Sequence, residues 1–263
     1  MSQVPPTGAL WLVPGPLDFG CQDEATPAPL TEVLPEQTLR VAAGLTHWIC
    51  ENARSARALL KRIGQTHPLA APLQAQDIQE LPRNAHKKGD HDARQDDGAA
   101  LRRLLAPALA GHDMGLLSEA GMPAVADPGS SVVRQAHALG IAVRPLVGPV
   151  SLLLTLAASG LNGQHFAFVG YLPQDPAARL TRLRQLEQLA LKTGQTQLWI
   201  ETPYRNAAML ASALQGLQAG TRLCVASGLT LAQAQIRSDT VARWRQAPAG
   251  PDLALPAVFA LGA

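Results

Sequence analysis

The fold is decided by residues 115–130, GLLSEAGMPAVADPGS, which join an apolar run to a loop rich in glycine and proline and then to a helix. The run from Met114 to Leu117 predicts a short buried strand. Glycines and prolines in the segment that follows indicate a loop. A helix is predicted to begin near residues 129–131 and to end at Gly140, because apolar side chains recur there at helical spacing.

This loop has two interpretations. Ligands of open α/β sheets bind at the carboxyl ends of the strands, so a constrained loop at such a place is a candidate binding site. The alternative is a tight connection between strand and helix that binds nothing. Asp127 carries the same ambiguity, since an aspartate before Pro128 either offers a carboxylate to a ligand or only initiates a turn. The local pattern leaves both interpretations open.

Short apolar runs alternate with helical segments along the whole chain. Strands are predicted at 9–13, 46–50, 114–117, 141–145, 165–170, 197–201, 222–226 and 257–261, and helices at 35–45, 53–63, 99–110, 150–159, 176–191 and 206–218. The rhythm of the first half predicts an α/β fold with a doubly wound parallel sheet. We place a domain boundary close to Gly148, which gives domains 1–147 and 148–263 and a cleft between them as the expected ligand site.

The composition limits the classes of function. The net charge of +2 is weakly basic, which neither demands nor excludes an RNA partner. The apolar runs are short and broken by charges, and residues 1–10 lack a signal-peptide pattern, so we expect a soluble cytoplasmic protein without a membrane span. The cysteines are odd in number and in no C-x-x-C spacing, so Cys21, Cys50 and Cys224 are expected to be free thiols.

Residues 81–98, LPRNAHKKGDHDARQDDG, are predicted to form a mobile loop, because charges of both signs crowd together and almost nothing can be buried. The loop is either a lid over a substrate or a surface excursion. It contains residue types that bind metals, namely His86, Asp90, His91 and Asp92. A metal site needs supporting residues that such a segment does not offer, so no metal is predicted.

Common catalytic motifs are absent from the sequence. There is no G-x-S-x-G, G-x-x-x-x-G-K or H-E-x-x-H, which removes the commonest hydrolase, kinase and metalloenzyme classes. What remains is a set of Gly/Pro loops after strands. Such loops suit a cofactor held mainly by main-chain groups, with Glu119 or Asp127 available for a hydroxyl or an amine.

Several motifs, in order, resemble the tetrapyrrole methylase superfamily, and within it the ribosomal RNA small subunit methyltransferase I branch. They are SEAGMPAVADPG at 118–129, PLVGPVSLLLTLAASGLNGQHFAFVGYLP at 145–173 and ETPYRN at 201–206. The branch has S-D-A-G-T-P…D-P-G, P-G-P-S-A, S-G-L…F-x-F-x-G-[FY]-L-P and E-[ST]-P-x-R at these places. The likeness extends from Ala9 to Leu261. It implies two α/β domains, a mostly parallel sheet followed by a mixed one, S-adenosylmethionine in the cleft between them, and a homodimer.

The resemblance also implies site residues. The cofactor contacts would be Pro14, Gly15, Ser118, Glu119, Ala120, Gly121, Pro123, Ala124, Val125, Ser151 and Leu152. For the acceptor, Glu51 or Glu119 would take a proton or orient a hydroxyl, and Arg54 or Arg205 would hold a phosphate. The structural alternative for these four residues is a set of interdomain salt bridges. Ser151 is expected to cap its helix in either case.

The sequence departs from the branch at side chains that would face the acceptor. The branch motif E-D-T-R is Glu51-Asn52-Ala53-Arg54 here, S-D-A-G-T-P is SEAGMP at 118–123, T-P-[IL]-G-N is PGPLD at 14–18, and R-E-L-T-K is SGLTL at 227–231. We expect a methyltransferase that acts on a ribose hydroxyl or a base of RNA. Two alternatives stay open: methylation of a small or tetrapyrrole-like molecule, and a module that binds the methyl donor without catalysis.

Overall fold

The computed structural model describes residues 7–18, 28–82, 97–247 and 249–263. The chain divides into two compact units. The first holds the described residues up to Pro16 and from Ala28 to Pro149, and the second holds Val150–Ala263 with Leu17 and Asp18. Nearly all of the predicted loop at 81–98, including its histidines, lies outside the described residues, and so does Cys21.

A parallel sheet of five strands forms the centre of the first unit. The strands are β1 (Ala9–Leu12), β2 (His47–Cys50), β3 (Asp77–Glu80), β4 (Met114–Leu117) and β5 (Ala142–Pro145). They lie in the order β3-β2-β4-β1-β5, and every pairing is parallel. The doubly wound parallel sheet predicted for the first half of the chain is confirmed.

Helices cover both faces of this sheet. They are α1 (Glu36–Gly44), α2 (Ala53–Ile63), α3 (Gly98–Leu104), α4 (Ala106–Leu109) and α5 (Ser130–Ala138). Apolar side chains of α1 and α2 pack on one face, and those of α3, α4 and α5 pack on the other. The neighbouring strands β1 and β4 therefore send their following helices, α1 and α5, to opposite faces. In open α/β sheets this arrangement leaves a crevice at the carboxyl ends of the two strands, where ligands bind.

The second unit contains a mixed sheet of five strands. The strands are β6 (Phe166–Tyr171), β7 (Thr196–Glu201), β8 (Arg222–Ser227), β9 (Gln235–Thr240) and β10 (Ala257–Gly262), in the order β6-β7-β10-β8-β9. Only β6 and β7 pair in parallel. Helix α6 (Ser151–Ser159) covers one face, and α7 (Pro176–Thr193), α8 (Pro203–Gly216) and α9 (Val241–Gln246) cover the other. The mixed sheet that the resemblance implied is confirmed.

Two strands and one helix were not foreseen from the sequence. Strands β3 and β9 are both edge strands, and their side chains are half-buried or exposed. Edge strands need no continuous apolar run, so DIQE and QIRSDT carry little strand signal. The short helix α9 has only Val241 and Trp244 buried. The helix predicted at 99–110 is interrupted at Leu105, where a new helix begins with Pro107 in its first turn.

Cys50 and Cys224 are buried free thiols. Burial is the main cause that raises the pKa of Cys50 to about 12 and that of Cys224 to about 11. Neither thiol therefore forms a reactive thiolate near neutral pH. Within the described residues, no helix combines the length and the apolar character needed to cross a bilayer.

Replacing Gly115 by alanine should destabilise the protein, because the new Cβ would lie 2.3 Å from Cζ3 of Trp48 on the neighbouring strand. Trp48 is fully buried and its Nε1 donates a hydrogen bond of 2.9 Å to Gln76, so its ring is held in place. Overpacking of this kind costs about 1–3 kcal/mol. We expect a lower midpoint of thermal unfolding, followed by circular dichroism.

The matched control is Gly44→Ala, since a Cβ at this helical position has no atom within 4 Å. This variant should keep the wild-type midpoint or exceed it. Unchanged midpoints in both variants would show that the contact between β2 and β4 is not as tight as described.

Candidate functional site

The loops that follow β1 and β4 are joined by a pair of backbone hydrogen bonds. The amide of Gly15 donates to the carbonyl of Gly121 at 2.9 Å, and the amide of Gly121 donates to the carbonyl of Gly15 at 3.2 Å. Pro14, next to Gly15, packs so closely on the backbone of Gly148 that a Cβ there would lie 2.3 Å from its Cγ. Two predicted cofactor positions, Gly15 and Gly121, are thus in direct contact at the crevice.

The loop after β4 has an unusual backbone conformation. Gly121, Ala124, Ala126 and Gly129 all have positive φ, at 69°, 64°, 64° and 134°. Such a conformation is unfavourable for alanine, and strain of this kind is concentrated at ligand sites. Ser118 helps to hold the loop, because its hydroxyl donates to the carbonyl of Ala120 at 3.2 Å. The predicted positions Ser118, Ala120 and Pro123 are buried, whereas Ala124 is half-buried and Val125 is 41% exposed.

Three carboxylates gather beside this loop. The backbone amide of Glu119 donates to Oε2 of Glu51 at 3.4 Å, and Oε1 of Glu119 accepts a hydrogen bond of 3.0 Å from the hydroxyl of Ser55. Asp127 interacts electrostatically with both glutamates. The structure therefore brings together Glu51, Glu119 and Asp127, all three named from the sequence, and adds Ser55.

The pKa of Asp127 is raised from its ordinary value of 3.8 to about 7. Burial is the main cause, because it disfavours the charged carboxylate, and the negative charges of Glu51 and Glu119 act in the same direction. A hydrogen bond with Ser118 lowers the pKa and offsets part of this rise. The side chain of Asp127 is thus partly protonated near neutral pH. It can therefore accept a proton in one form and donate one in the other.

Asn52 begins helix α2 beside this cluster. Its Oδ1 accepts hydrogen bonds from the amides of Arg54 at 2.9 Å and Ser55 at 3.3 Å, so it caps the helix. The side chain of Arg54 is exposed, and within the described part of the chain its guanidinium forms no hydrogen bond or ion pair. The sequence Glu51-Asn52-Ala53-Arg54 therefore provides a carboxylate, a cap and an unpaired cation within one turn.

The remaining predicted site residues lie in the second unit. Ser151 is the first residue of α6, but the cap position is Val150 and no side chain caps the helix, so the predicted capping role of Ser151 is wrong. Leu152 is buried on the inner face of the same helix. Arg205, in the first turn of α8, forms a salt bridge with the buried carboxylate of Glu201.

Sequence reasoning missed Ser55 and gave Asp127 no definite role. Ser55 lies four residues after Glu51, on the first turn of α2, and this spacing places it near the carboxyl end of β2. The dipeptide Asp127-Pro128 in a loop with so many small residues was the available signal for Asp127. Among the described residues, no group of three or more His, Cys, Asp or Glu side chains could hold a metal ion.

The profile of the Tetrapyrrole (Corrin/Porphyrin) Methylases matches residues 42–243. The chain belongs to this family. The matched region includes β2 with Glu51, the acidic loop after β4, and the segment that contains Arg205 and Glu201.

Curated relatives of this family member carry the name ribosomal RNA small subunit methyltransferase I. The protein of Pseudomonas aeruginosa is 33% identical over 187 residues, which make up 71% of this chain and 58% of the relative. The protein of Mesorhizobium japonicum is 30% identical over 226 residues, or 86% of this chain and 69% of the relative. The match thus spans less than two thirds of the length of the Pseudomonas protein.

A solved structure has the same fold. The uroporphyrin-III-C-methyltransferase from Thermus thermophilus superposes with a TM-score of 0.50 over 96% of this chain and 92% of that chain, at 18% sequence identity. At this identity the likeness supports the two-sheet methylase fold alone.

Replacing Asp127 by asparagine should change how the stability of the protein depends on pH. The unfolded chain loses the Asp127 proton near pH 4, whereas the folded protein keeps it up to about pH 7. Wild-type stability is therefore lost as the pH rises through this window, and the variant avoids that loss. From pH 5 to pH 7, we expect the variant to gain roughly 1–2 kcal/mol relative to wild type in urea unfolding. A stability difference that is the same at both pH values would contradict the raised pKa.

Proposed function

We propose that this chain is an S-adenosylmethionine-dependent methyltransferase of the cytoplasm that acts on RNA, at a ribose hydroxyl or base of ribosomal RNA. The proposal rests on the loop after β4, which lies at the crevice between β1 and β4 in a chain of the methylase family. Several residues of this loop have positive φ, and acidic side chains surround it. The RNA acceptor is supported by relatives that are named ribosomal RNA methyltransferases.

The residues of the crevice fit this cofactor. S-adenosylmethionine carries a positive sulfonium and a positive ammonium group, and these are attracted by the cluster of Glu51, Glu119 and Asp127. Its ribose hydroxyls and its ammonium are also hydrogen-bond donors, and the carboxylates are acceptors. Gly15 and Gly121 have no side chains that would keep a ligand away from the main chain at the crevice. We therefore propose as its contacts Pro14, Gly15, Ser118, Glu119, Ala120, Gly121, Pro123, Ala124 and Val125. Ser151 and Leu152 stay predictions from the resemblance.

When bound, this cofactor supplies an electrophilic methyl group on a sulfur that departs as a neutral thioether. The protein must orient the acceptor and remove its proton. Glu119 is exposed and anchored by Ser55, so its carboxylate is placed to take the proton of an acceptor hydroxyl. Glu51 holds the loop through the backbone amide of Glu119 and keeps this carboxylate in position.

The charges of the first unit restrict how RNA can approach. Phosphates are repelled by the three carboxylates, so the RNA backbone must be held away from them. The guanidinium of Arg54, on the first turn of α2, has no partner among the described residues, and it is the group proposed to hold a phosphate there. Arg205 already donates three hydrogen bonds to Glu201, so we assign it to shaping the second unit and not to phosphate binding.

The alternative of a module that binds the cofactor without catalysis arose from Asn52 and Ala53. Asn52 caps α2 through Oδ1, and an aspartate is an equally good cap. The exchange therefore leaves the start of α2 intact and gives no structural reason for lost activity. Methylation of a tetrapyrrole-like molecule has the family description as its support, and it is tested by the same transfer assay with a different acceptor.

A homodimer is also proposed. Strand β6 is at the edge of the second sheet, and its side chains Phe166 and Phe168 are 42% and 36% exposed. Exposed aromatic side chains on an edge strand favour association with another chain. Sedimentation equilibrium should give twice the chain mass of 27.7 kDa, and the monomer mass at micromolar concentration would contradict the proposal.

Replacing Glu119 by glutamine should reduce methyl transfer and leave cofactor binding nearly unchanged. The glutamine keeps an oxygen that accepts from Ser55 but cannot take a proton. Loss of a general base lowers the rate by about 10²- to 10⁴-fold. The rate is measured by transfer of a radiolabelled methyl group to total RNA from a strain that lacks the gene. The affinity for S-adenosylmethionine is measured by calorimetry.

The control is Glu36→Gln, which neutralises an exposed carboxylate whose partner is His67 and which is not among the proposed site residues. It should transfer methyl groups at the wild-type rate. Full activity of Glu119→Gln would show that Glu119 is not the base, and absence of any labelled RNA with the wild type would count against the RNA acceptor.

A further inference from the structure

A second concave site lies at the carboxyl ends of β6 and β7, the only parallel pair of the second sheet. It is a cleft of about 510 Å³, lined by Tyr171, Leu172, Pro173, Gln174, Thr202, Tyr204 and Arg205. This volume is within the range of about 300–1,000 Å³ that is usual for small-ligand sites. Ligands of sheets with parallel strands bind beyond the carboxyl ends of those strands, so the place is that of a binding site.

Both tyrosines of the chain line this one cleft. Tyr204 is 81% exposed and Tyr171 is 57% exposed. The position of Tyr171 depends on an irregularity in β6, where the register with β7 shifts between Phe168 and Tyr171 and Gly170 has a φ of 72°. Bulges of this kind redirect a side chain and are common beside functional sites. Two exposed aromatic rings are therefore gathered at one place in a chain with only 4% aromatic residues.

The one charged side chain in the cleft wall is already neutralised. Arg205 donates to Oε1 of Glu201 through Nε at 2.9 Å and through Nη2 at 2.6 Å, and to Oε2 through Nη2 at 2.7 Å. The amide and hydroxyl of Thr202 donate to the same carboxylate at 2.8 and 3.2 Å. A phosphate would meet the buried negative charge of Glu201 as well as the guanidinium. The cleft consequently suits an uncharged aromatic ligand better than an anion.

The rim of the cleft is held by buried groups. Arg179 is 7% exposed, and it donates to the carbonyl of Gln174 at 3.2 Å and to the hydroxyl of Ser212 at 2.9 Å. Pro173, beside Gln174, has a fixed φ. A rim that is ordered before the ligand arrives lowers the entropic cost of binding.

We propose that this cleft stacks an unpaired base of the RNA on the rings of Tyr204 and Tyr171. The inference rests on the proposed function, because it names where the RNA substrate is recognised. Tyrosine faces stack on bases that have been released from a duplex, and amide or hydroxyl groups bond the base edges. The side-chain amide of Gln174 is such a group at this cleft, and the hydroxyl oxygen of Thr202 can still accept a hydrogen bond. In this proposal the cleft binds single-stranded segments of the RNA, and Arg54 binds a backbone phosphate.

Binding of a fluorescein-labelled, single-stranded RNA of ten nucleotides, measured by fluorescence anisotropy with the full chain, tests this inference. Tyr204→Ala and Tyr171→Ala should each raise the dissociation constant by about 5- to 150-fold, the range for loss of one stacked base. Tyr204→Phe and Tyr171→Phe keep the ring and should bind within about twofold of wild type. Leu189→Ala, at an exposed position of α7 outside the cleft, is the control and should bind like wild type.

Thermal unfolding and calorimetry with S-adenosylmethionine accompany each variant. Midpoints and cofactor affinities equal to wild type, together with weaker RNA binding, support the proposal. Weaker cofactor binding in the alanine variants would overturn it, because the rings would then stack on the adenine of the methyl donor. Equal binding of a perfect RNA duplex, or unchanged RNA binding in both alanine variants, would also overturn it.

The two proposals fail in different ways. If the wild type binds RNA and the alanine variants bind it equally well, the cleft inference fails and the methyltransferase proposal stands. If the wild type binds S-adenosylmethionine but no RNA of any form, the RNA acceptor itself is wrong, and the cleft inference is overturned with it.

Discussion

The pair of hydrogen bonds between Gly15 and Gly121 is the contact on which the candidate site depends. It forms because β1 and β4 are neighbours although more than a hundred residues separate them in sequence, and because their following helices diverge to opposite faces of the sheet. The bridge fixes the start of the loop after β4. Further along this loop, Ala124 and Ala126 have a left-handed backbone conformation. The carboxylate of Glu119 is carried by this loop, so its place follows from this backbone contact together with the hydrogen bonds to Ser55 and Glu51.

The two candidate binding surfaces differ in charge. In the first unit, Glu51, Glu119 and Asp127 form a negative cluster that attracts a cationic cofactor and repels phosphates. Burial, and to a lesser extent the charges of Glu51 and Glu119, raise the pKa of Asp127 to about 7, so Asp127 carries only part of a negative charge near neutral pH. In the second unit, the cleft with Tyr171 and Tyr204 offers aromatic faces and an arginine that is already paired. In the two proposals, a cationic cofactor and an uncharged base are thus bound by chemically opposite surfaces.

Much of the fold could be predicted from the sequence, because its buried strands are short apolar runs such as ALWLV and THWIC. Edge strands β3 and β9 could not, since DIQE and QIRSDT are half-exposed and need no apolar pattern. The loop of the candidate site could be located by its glycines and prolines, but its chemistry depends on contacts between distant segments. Ser55 meets Glu119 across 64 residues, and this pairing has no local signal. The tyrosines of the second unit are 33 positions apart and meet only because β6 and β7 end side by side.

The central claim is that the bridged loop holds a methyl donor, and calorimetric titration with S-adenosylmethionine tests it most directly. The wild type should bind one molecule per chain. Gly121→Val should bind none that calorimetry detects while its thermal unfolding stays cooperative, because a β-branched residue does not tolerate the φ of 69° that the bridge requires. Unchanged affinity in a folded Gly121→Val variant, or no binding to the wild type, would contradict the account.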